Sequence, residues 1–161
     1  LLNFDVLNRS NIKAIIKLSI ETKLKYIGDF HERSNQRKSR SILNFGHTIG
    51  HAIENSNLYN DSIKHGEAIA LGMLIELRIS EYLKYYKKSI NDELLLFKKF
   101  NLPLNYKDYL TNKNIKNLLK KIKFDKKVSG RFVNFILIDN RGGLVKKMTF
   151  KNIEKLLHKI S

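Results

Sequence analysis

The sequence predicts a mainly α-helical domain with one small β-hairpin near its C-terminus. Most segments place apolar residues at helical spacing, and a single stretch near the end alternates in the manner of a strand. A chain of 161 residues is most simply one domain that buries a sizeable core. The chain has no cysteine, which excludes disulfides and thiolate metal sites. Any metal must therefore be held by histidine, carboxylate or solvent.

The helices are predicted from their periodicity. The first covers residues 11–27, and Gly28 is well placed to end it. Residues 29–40 are polar, strongly basic and without period, which indicates a loop. A second helix is expected to resume near Ser41 or Ile42 and to run to residue 56. After a turn-rich connector, further helices are predicted at about 65–86, 91–100, and from 112 through Ile122.

The hairpin and the last helix complete the predicted fold. Residues 131–138 alternate and are rich in branched and aromatic side chains, residues 139–143 form a turn, and residues 144–150 are expected to return as a second strand. Residues 151–160 form a short final helix. No apolar run reaches the ~18 residues that cross a bilayer, and the first residues lack the pattern of a signal peptide. We therefore expect a cytoplasmic protein with no membrane partner.

The net charge of +16 raises the possibility of a nucleic-acid-binding module. The basic residues, however, are mostly lysine and are scattered along the helices instead of clustering with aromatic residues. A solvated lysine surface is the favoured interpretation, so no specific nucleic-acid partner is expected. Weak nonspecific affinity for polyanions follows from the charge in either case.

Two histidines lie four residues apart in "LNFGHTIGHAIE", each directly after a glycine. On a helix, His47 and His51 project from the same face. Gly46 and Gly50 repeat with the same spacing, and a helix accepts the cost of ~2 kcal/mol for two glycines where another helix or a ligand approaches closely. The pattern thus leaves two alternatives open: a metal or catalytic site, and close packing of helices.

A third histidine, His65, opens the next predicted helix. Two antiparallel helices could bring it opposite His47. Neutral imidazoles from two helices are good zinc ligands, but a catalytic zinc usually takes three protein ligands and keeps one position open. Glu54 and Glu67 are local carboxylate candidates for the third ligand, by proximity only.

These blocks carry a family resemblance. "RSILNFGHTIGHAIE" followed by "HGEAIALGM" resembles the signature of the 3-dehydroquinate synthases, sugar phosphate cyclases of the shikimate pathway. The later "FDKKVSGRFVNFILI" is similar to that family's DKK…G…FVL segment, so the match runs roughly from Lys23 to Ile138. The resemblance implies a metal- and substrate-binding C-terminal domain, with Zn²⁺ or Co²⁺ and NAD⁺ as cofactors.

The resemblance also implies roles for individual residues. His47 and His65 would be metal ligands, and His51 would stand beside the substrate as a proton-handling or hydrogen-bonding group. The family's third ligand is a glutamate in an earlier segment that this chain does not contain. The implied contacts to the substrate's phosphate and hydroxyls are Arg40, Asn44, Lys23, Glu32, and either Lys126 or Lys127.

Three of these residues can be compared directly with the family's pattern. Arg40 and Asn44 match the family's R-x-x-x-N, and one helical turn would place them on the same face as His47. Arginine's planar fork suits a phosphate or carboxylate. Glu32 is offset from the family's acidic position, which Gln36 occupies here, by what resembles a four-residue insertion.

The family's enzymes begin with a dinucleotide-binding domain, and this chain has no G-x-G-x-x-G following a strand. Residues 1–161 are therefore expected to be a single zinc- and substrate-binding domain without the NAD-binding domain. The implied reaction converts 3-deoxy-D-arabino-heptulosonate 7-phosphate to 3-dehydroquinate and phosphate. It would need an NAD-binding half in cis or in trans, and the complete enzyme would be a homodimer. Another sugar phosphate cyclase and an inactive remnant are the alternatives within this family.

Overall fold

The computed structural model describes residues 8–27, 40–56, 63–124 and 131–161. The α-helices of this part of the chain are α1 (Arg9–Ile27), α2 (His47–Glu54), α3 (His65–Tyr82), α4 (Asn91–Lys99), α5 (Asn112–Phe124) and α6 (Phe150–Ile160). Two 3₁₀ helices cover Arg40–Asn44 and Tyr106–Leu110, and strands β1 (Phe132–Asp139) and β2 (Gly142–Thr149) form an antiparallel hairpin. The predicted class, mainly α with one small hairpin, is confirmed.

Helix α3 is the centre of the core. Its buried residues lie on all sides of the helix, as expected for a helix that is covered all round. Helix α2 packs along it on one side and strand β1 on another, and α6 also contacts it. The largest side chains with no exposed surface include Leu71, Leu74 and Ile75 of α3, Ile49 of α2 and Phe135 of β1.

The hairpin is joined to α3 by a buried serine. The register pairs Phe132 with Thr149 and Asp139 with Gly142, so a two-residue turn connects the strands. The Ser80 hydroxyl donates to the Glu76 carbonyl oxygen at 2.7 Å and accepts the Ile138 N–H at 2.9 Å. The predicted strands were therefore correct in type and close in their limits.

The prediction of one continuous helix from Ser41 or Ile42 to residue 56 was wrong. The chain forms a 3₁₀ helix to Asn44 and then turns, and α2 begins only at His47. Gly46 has φ +80°, in the left-handed region that favours glycine. Its N–H donates to a carboxylate of α3, that of Glu76, at 2.7 Å instead of continuing a helical ladder. A partner thirty positions away thus interrupts a helix that local periodicity favours.

Helix α3 also ends earlier than predicted, at Tyr82 instead of about residue 86. The Ser80 carbonyl oxygen accepts the N–H groups of Tyr85 and Tyr86, at 3.0 and 3.2 Å. Lys84 has φ +58°, so the chain leaves the helix through a left-handed residue.

Helix α1 forms where its periodicity predicted, but its apolar positions are not buried. Ile12, Ile16 and Leu24 are 43%, 53% and 59% exposed. Among the described residues the helix contacts mainly the 3₁₀ helix at Arg40–Asn44. None of the helices in the described ranges is both long enough and apolar enough to traverse a bilayer.

Candidate metal centre

Three imidazoles from helices α2 and α3 converge on one point. His47 and His51 lie one turn apart on α2, and His65 is the first residue of α3. Each offers a ring nitrogen, and these three nitrogens all lie within 4.8 Å of one another. The ring centroids are 5.3 Å apart for His47 and His51, and 5.7 Å for His51 and His65. The predicted approach of His65 to His47 is present, with centroids 6.3 Å apart.

Close approach of the two helix backbones brings the imidazoles together. A Cβ atom on Gly72 of α3 would lie 2.0 Å from the Gly46 carbonyl oxygen and 2.6 Å from the Gly50 nitrogen. A Cβ atom on Gly50 would lie 2.9 Å from the Ala68 carbonyl oxygen. The glycines beside the histidines therefore serve helix packing, and that packing lets the histidine ring nitrogens approach one another.

The hydrogen bonds of two imidazoles indicate which nitrogen carries the lone pair. His65 Nδ1 lies 3.2 and 3.1 Å from the two carboxylate oxygens of Glu54. His47 Nδ1 lies 3.2 Å from the Phe45 carbonyl oxygen. Because a carbonyl and a carboxylate accept hydrogen bonds, we assign a proton to each Nδ1, which in the neutral imidazole leaves the lone pair on Nε2. This tautomer, fixed by an acceptor behind the ring, is typical of metal-binding histidines.

The two carboxylates considered as third ligands have other roles in this structure. Glu54 lies behind His65, as described. The Glu67 carboxylate accepts the Lys64 backbone N–H at 3.1 Å and so caps the start of α3. The role of Glu54 could have been suspected from its position three residues after His51, on the same helix and near the same face.

The donor set fits a zinc-like ion in kind and in spacing. Imidazole nitrogen is a good ligand for Zn²⁺ and Co²⁺. Two nitrogens on one tetrahedral zinc, each about 2.0–2.1 Å from it, are about 3.4 Å apart. Nitrogens that already lie within 4.8 Å of each other reach this separation by small rotations of the side chains. The His65 side chain is 58% exposed, so the cluster opens to solvent.

One histidine of the cluster, His51, lines a cavity of about 450 Å³. Thr48, His51 and Asn55 of α2 and its C-terminal turn line one wall, and Lys121 and Phe124 of α5 contribute the other. His51 therefore faces a space large enough for a small metabolite. Lys121 was not among the predicted site residues, because only the packing of α5 against α2 reveals its position.

The remaining predicted substrate contacts are placed as follows. Arg40 is exposed and Asn44 is half-buried, at the two ends of the first 3₁₀ helix. A 3₁₀ helix aligns residues three apart, so the helical argument that put both on one face with His47 does not apply. Lys23 is exposed on α1. Glu32, Lys126 and Lys127 lie outside the described residues.

A buried carboxyl group that contacts the residue before His47 was not predicted from the sequence. Glu76 has no exposed surface, and burial raises the pKa of its carboxyl group well above the ordinary value, although the Gly46 N–H opposes the shift. A single acidic residue inside the apolar run "GMLIELRIS" was the available signal.

Comparison with known proteins identifies the family. The model of the 3-dehydroquinate synthase C-terminal family matches residues 2–128. The chain is 40% identical over 133 residues to 3-dehydroquinate synthase of Picrophilus torridus, which covers 82% of this chain and 37% of the relative. It is 34% identical over 154 residues to 3-dehydroquinate synthase of Lactococcus lactis subsp. cremoris, which covers 94% of this chain and 41% of the relative.

A solved structure shares the fold. 2-Deoxy-scyllo-inosose synthase complexed with carbaglucose-6-phosphate, NAD⁺ and Co²⁺ superposes with a TM-score of 0.67 at 21% identity, over 93% of this chain and 42% of that chain. The chain thus spans about two-fifths of the length of these relatives. The match to the family model covers most of the residues, including both histidine blocks, and the chain therefore belongs to the 3-dehydroquinate synthase C-terminal family.

Proposed function

We propose that this chain is the zinc- and substrate-binding part of a 3-dehydroquinate synthase. The reaction would convert 3-deoxy-D-arabino-heptulosonate 7-phosphate to 3-dehydroquinate and phosphate, with an NAD-binding half supplied in cis or in trans. The observation that carries the proposal is the convergence of three imidazole nitrogens, from two helices, to within 4.8 Å of one another beside a cavity. Membership of the family supports the substrate.

In this proposal His47 and His65 hold Zn²⁺ or Co²⁺, and His51 stands beside the substrate. The acceptors behind His47 and His65 support their assignment as ligands, because an acceptor at Nδ1 leaves Nε2 of the neutral imidazole free to bind a metal. When bound, the metal would act as a Lewis acid that lowers the pKa of a substrate hydroxyl and orients it. The hydride transfer belongs to NAD⁺, which the other half would hold.

The chain's own side chains would bind the substrate and move a proton. His51 lines the cavity, and an imidazole can accept a hydroxyl proton and later return it. Lys121 on the opposite wall is a cation within the same cavity. Phe124, which also lines it, precedes Lys126 by two positions in the chain. Arg40, Asn44, Lys23, Glu32 and Lys126 or Lys127 are proposed as further contacts to the anionic and hydroxyl groups.

Metal content of single-histidine variants tests this assignment. The set is wild type, His47→Ala, His51→Ala and His65→Ala, with His158→Ala as the matched control, because His158 is an exposed histidine on α6. In an equilibrium titration with Co²⁺ or Zn²⁺, wild type and His158→Ala should bind a single ion per chain, weakly because two imidazoles leave the site one protein ligand short. His47→Ala and His65→Ala should lose it, and His51→Ala should keep it.

The other results are equally informative. Loss of metal in His51→Ala would make His51 a ligand. Equal metal content in wild type and His65→Ala would refute the assignment of that ligand. The alternative nucleic-acid-binding module predicts steeply salt-dependent binding to nucleic acid that His47→Ala leaves unchanged.

A further inference from the structure

A buried carboxylate on α3 holds the backbone at the residue that precedes His47. Glu76 is 0% exposed, and one of its oxygens accepts the Gly46 N–H at 2.7 Å. Its other oxygen, Oε1, is buried and has no hydrogen-bond partner among the described residues. A buried carboxyl group with only one of its oxygens hydrogen-bonded costs free energy in an apolar core. Its presence at this position therefore calls for an explanation.

Gly46 lies in the short connection between the first 3₁₀ helix and α2. Its carbonyl oxygen accepts the Gly50 N–H at 2.8 Å and so begins α2. Its own N–H points the other way, to Glu76, because φ +80° turns the peptide out of the helical path. The 3₁₀ helix Arg40–Asn44 precedes this connection, and His47 follows it.

Helix α3 contacts Gly46 through two residues that lie one turn apart. Gly72 leaves room for the Gly46 carbonyl oxygen, which would lie 2.0 Å from a Cβ atom at that position. Glu76, four residues later, binds the Gly46 N–H. Close contact alone would fix the distance between the helices, but the hydrogen bond also fixes the orientation of the Phe45–Gly46 peptide, which precedes the peptide leading into His47.

We propose that Glu76 is a positioning residue that orients His47 toward His51 and His65 by holding the Phe45–Gly46 peptide. The inference rests on the proposed function, since it assigns a role in the metal centre. Without an acceptor at position 76, the Gly46 N–H would be buried and unpaired. The backbone at Gly46 would then rotate until this N–H reached another acceptor. Only an acceptor oxygen is required, so a carboxamide would serve as well as a carboxyl group.

The test compares Glu76→Gln, which keeps an acceptor, with Glu76→Met, which fills a similar space without one. Ser80→Ala is the matched control: Ser80 lies one turn further along α3, is equally buried, and loses the hydrogen bond to Ile138 without touching Gly46. Two quantities are measured for each variant: Co²⁺ affinity from visible absorption, and hydrogen-exchange protection of the Gly46 amide without metal.

Glu76→Met should weaken Co²⁺ binding by about 10–100-fold, the range for lost partners of metal ligands, and should lose protection at Gly46. Glu76→Gln should retain both properties. Ser80→Ala should unfold at lower urea concentration but keep wild-type Co²⁺ affinity and Gly46 protection. If Glu76→Met does not fold, Glu76→Leu replaces it.

Three results would overturn the proposal. Glu76→Met could bind Co²⁺ as wild type does, with Gly46 still protected. Ser80→Ala could lose affinity as much as Glu76→Met, in which case the effect is one of stability alone. Absence of histidine-dependent Co²⁺ binding in wild type would refute the proposed function itself and this role with it, and it is recognised because it affects wild type and not only the variants.

Discussion

Replacing Gly72 by alanine tests the close approach of α2 and α3 directly. The added Cβ would lie 2.0 Å from the Gly46 carbonyl oxygen and 2.6 Å from the Gly50 nitrogen. Both obstructing atoms belong to the backbone, so no side chain can rotate away to make room. Since Cβ contacts under 3.0 Å are essentially never seen, the helices would have to separate by about 1 Å.

The expected effect is the balance of two terms. Alanine gains about 1 kcal/mol over glycine in helix propensity. Overpacking a well-packed core typically costs about 1–3 kcal/mol and occasionally more. A backbone obstruction belongs at the upper end of that range, so Gly72→Ala should lower the free energy of unfolding by about 2 kcal/mol. The separation of the helices should also weaken Co²⁺ binding, because the three imidazoles lie on those helices.

Gly66→Ala is the control within the same helix. Gly66 is exposed, and a Cβ atom there would meet no heavy atom within 4 Å. It should therefore gain up to about 1 kcal/mol from helix propensity alone. Urea denaturation followed by far-ultraviolet circular dichroism measures both variants. If Gly72→Ala were as stable as Gly66→Ala, the contact between α2 and α3 would be wrong.

Three further results are expected. Glu54→Ala should weaken Co²⁺ affinity about 10–100-fold, because it removes the acceptor behind His65. Calorimetric titration measures this affinity, and an unchanged value would show that His65 needs no such partner. Burial raises the pKa of Glu76 well above the ordinary value of 4.5, so its contribution to stability is fully present below pH 4.5 and declines as the pH rises toward the folded-state pKa. Relative to Glu76→Gln, urea midpoints should therefore indicate a loss of up to about 1.4 kcal/mol per pH unit in that window, and a constant difference would contradict it. Glu93, which accepts the Tyr86 hydroxyl, raises the pKa of that phenol to about 12, so ultraviolet titration against Tyr86→Phe should show no ionisation near pH 10.

Several features were determined by the sequence because they depend on neighbouring residues. Periodic apolar positions predicted the helices, and alternation with a short turn predicted the hairpin between Phe132 and Thr149. The spacing of His47 and His51 placed both on one face of α2, and His65 begins α3 as its position suggested. The histidine and DKK blocks also indicated the family that comparison confirms.

Other features were decided by the tertiary structure because they depend on residues far apart in the chain. The break at Gly46 requires the Glu76 carboxyl group, thirty positions away, to replace a helical hydrogen bond. The meeting of His65 with the histidines of α2 requires Gly72 to admit the opposing backbone. Local periodicity reports which face of a helix is apolar, but it carries no information about which backbone approaches that face or how closely.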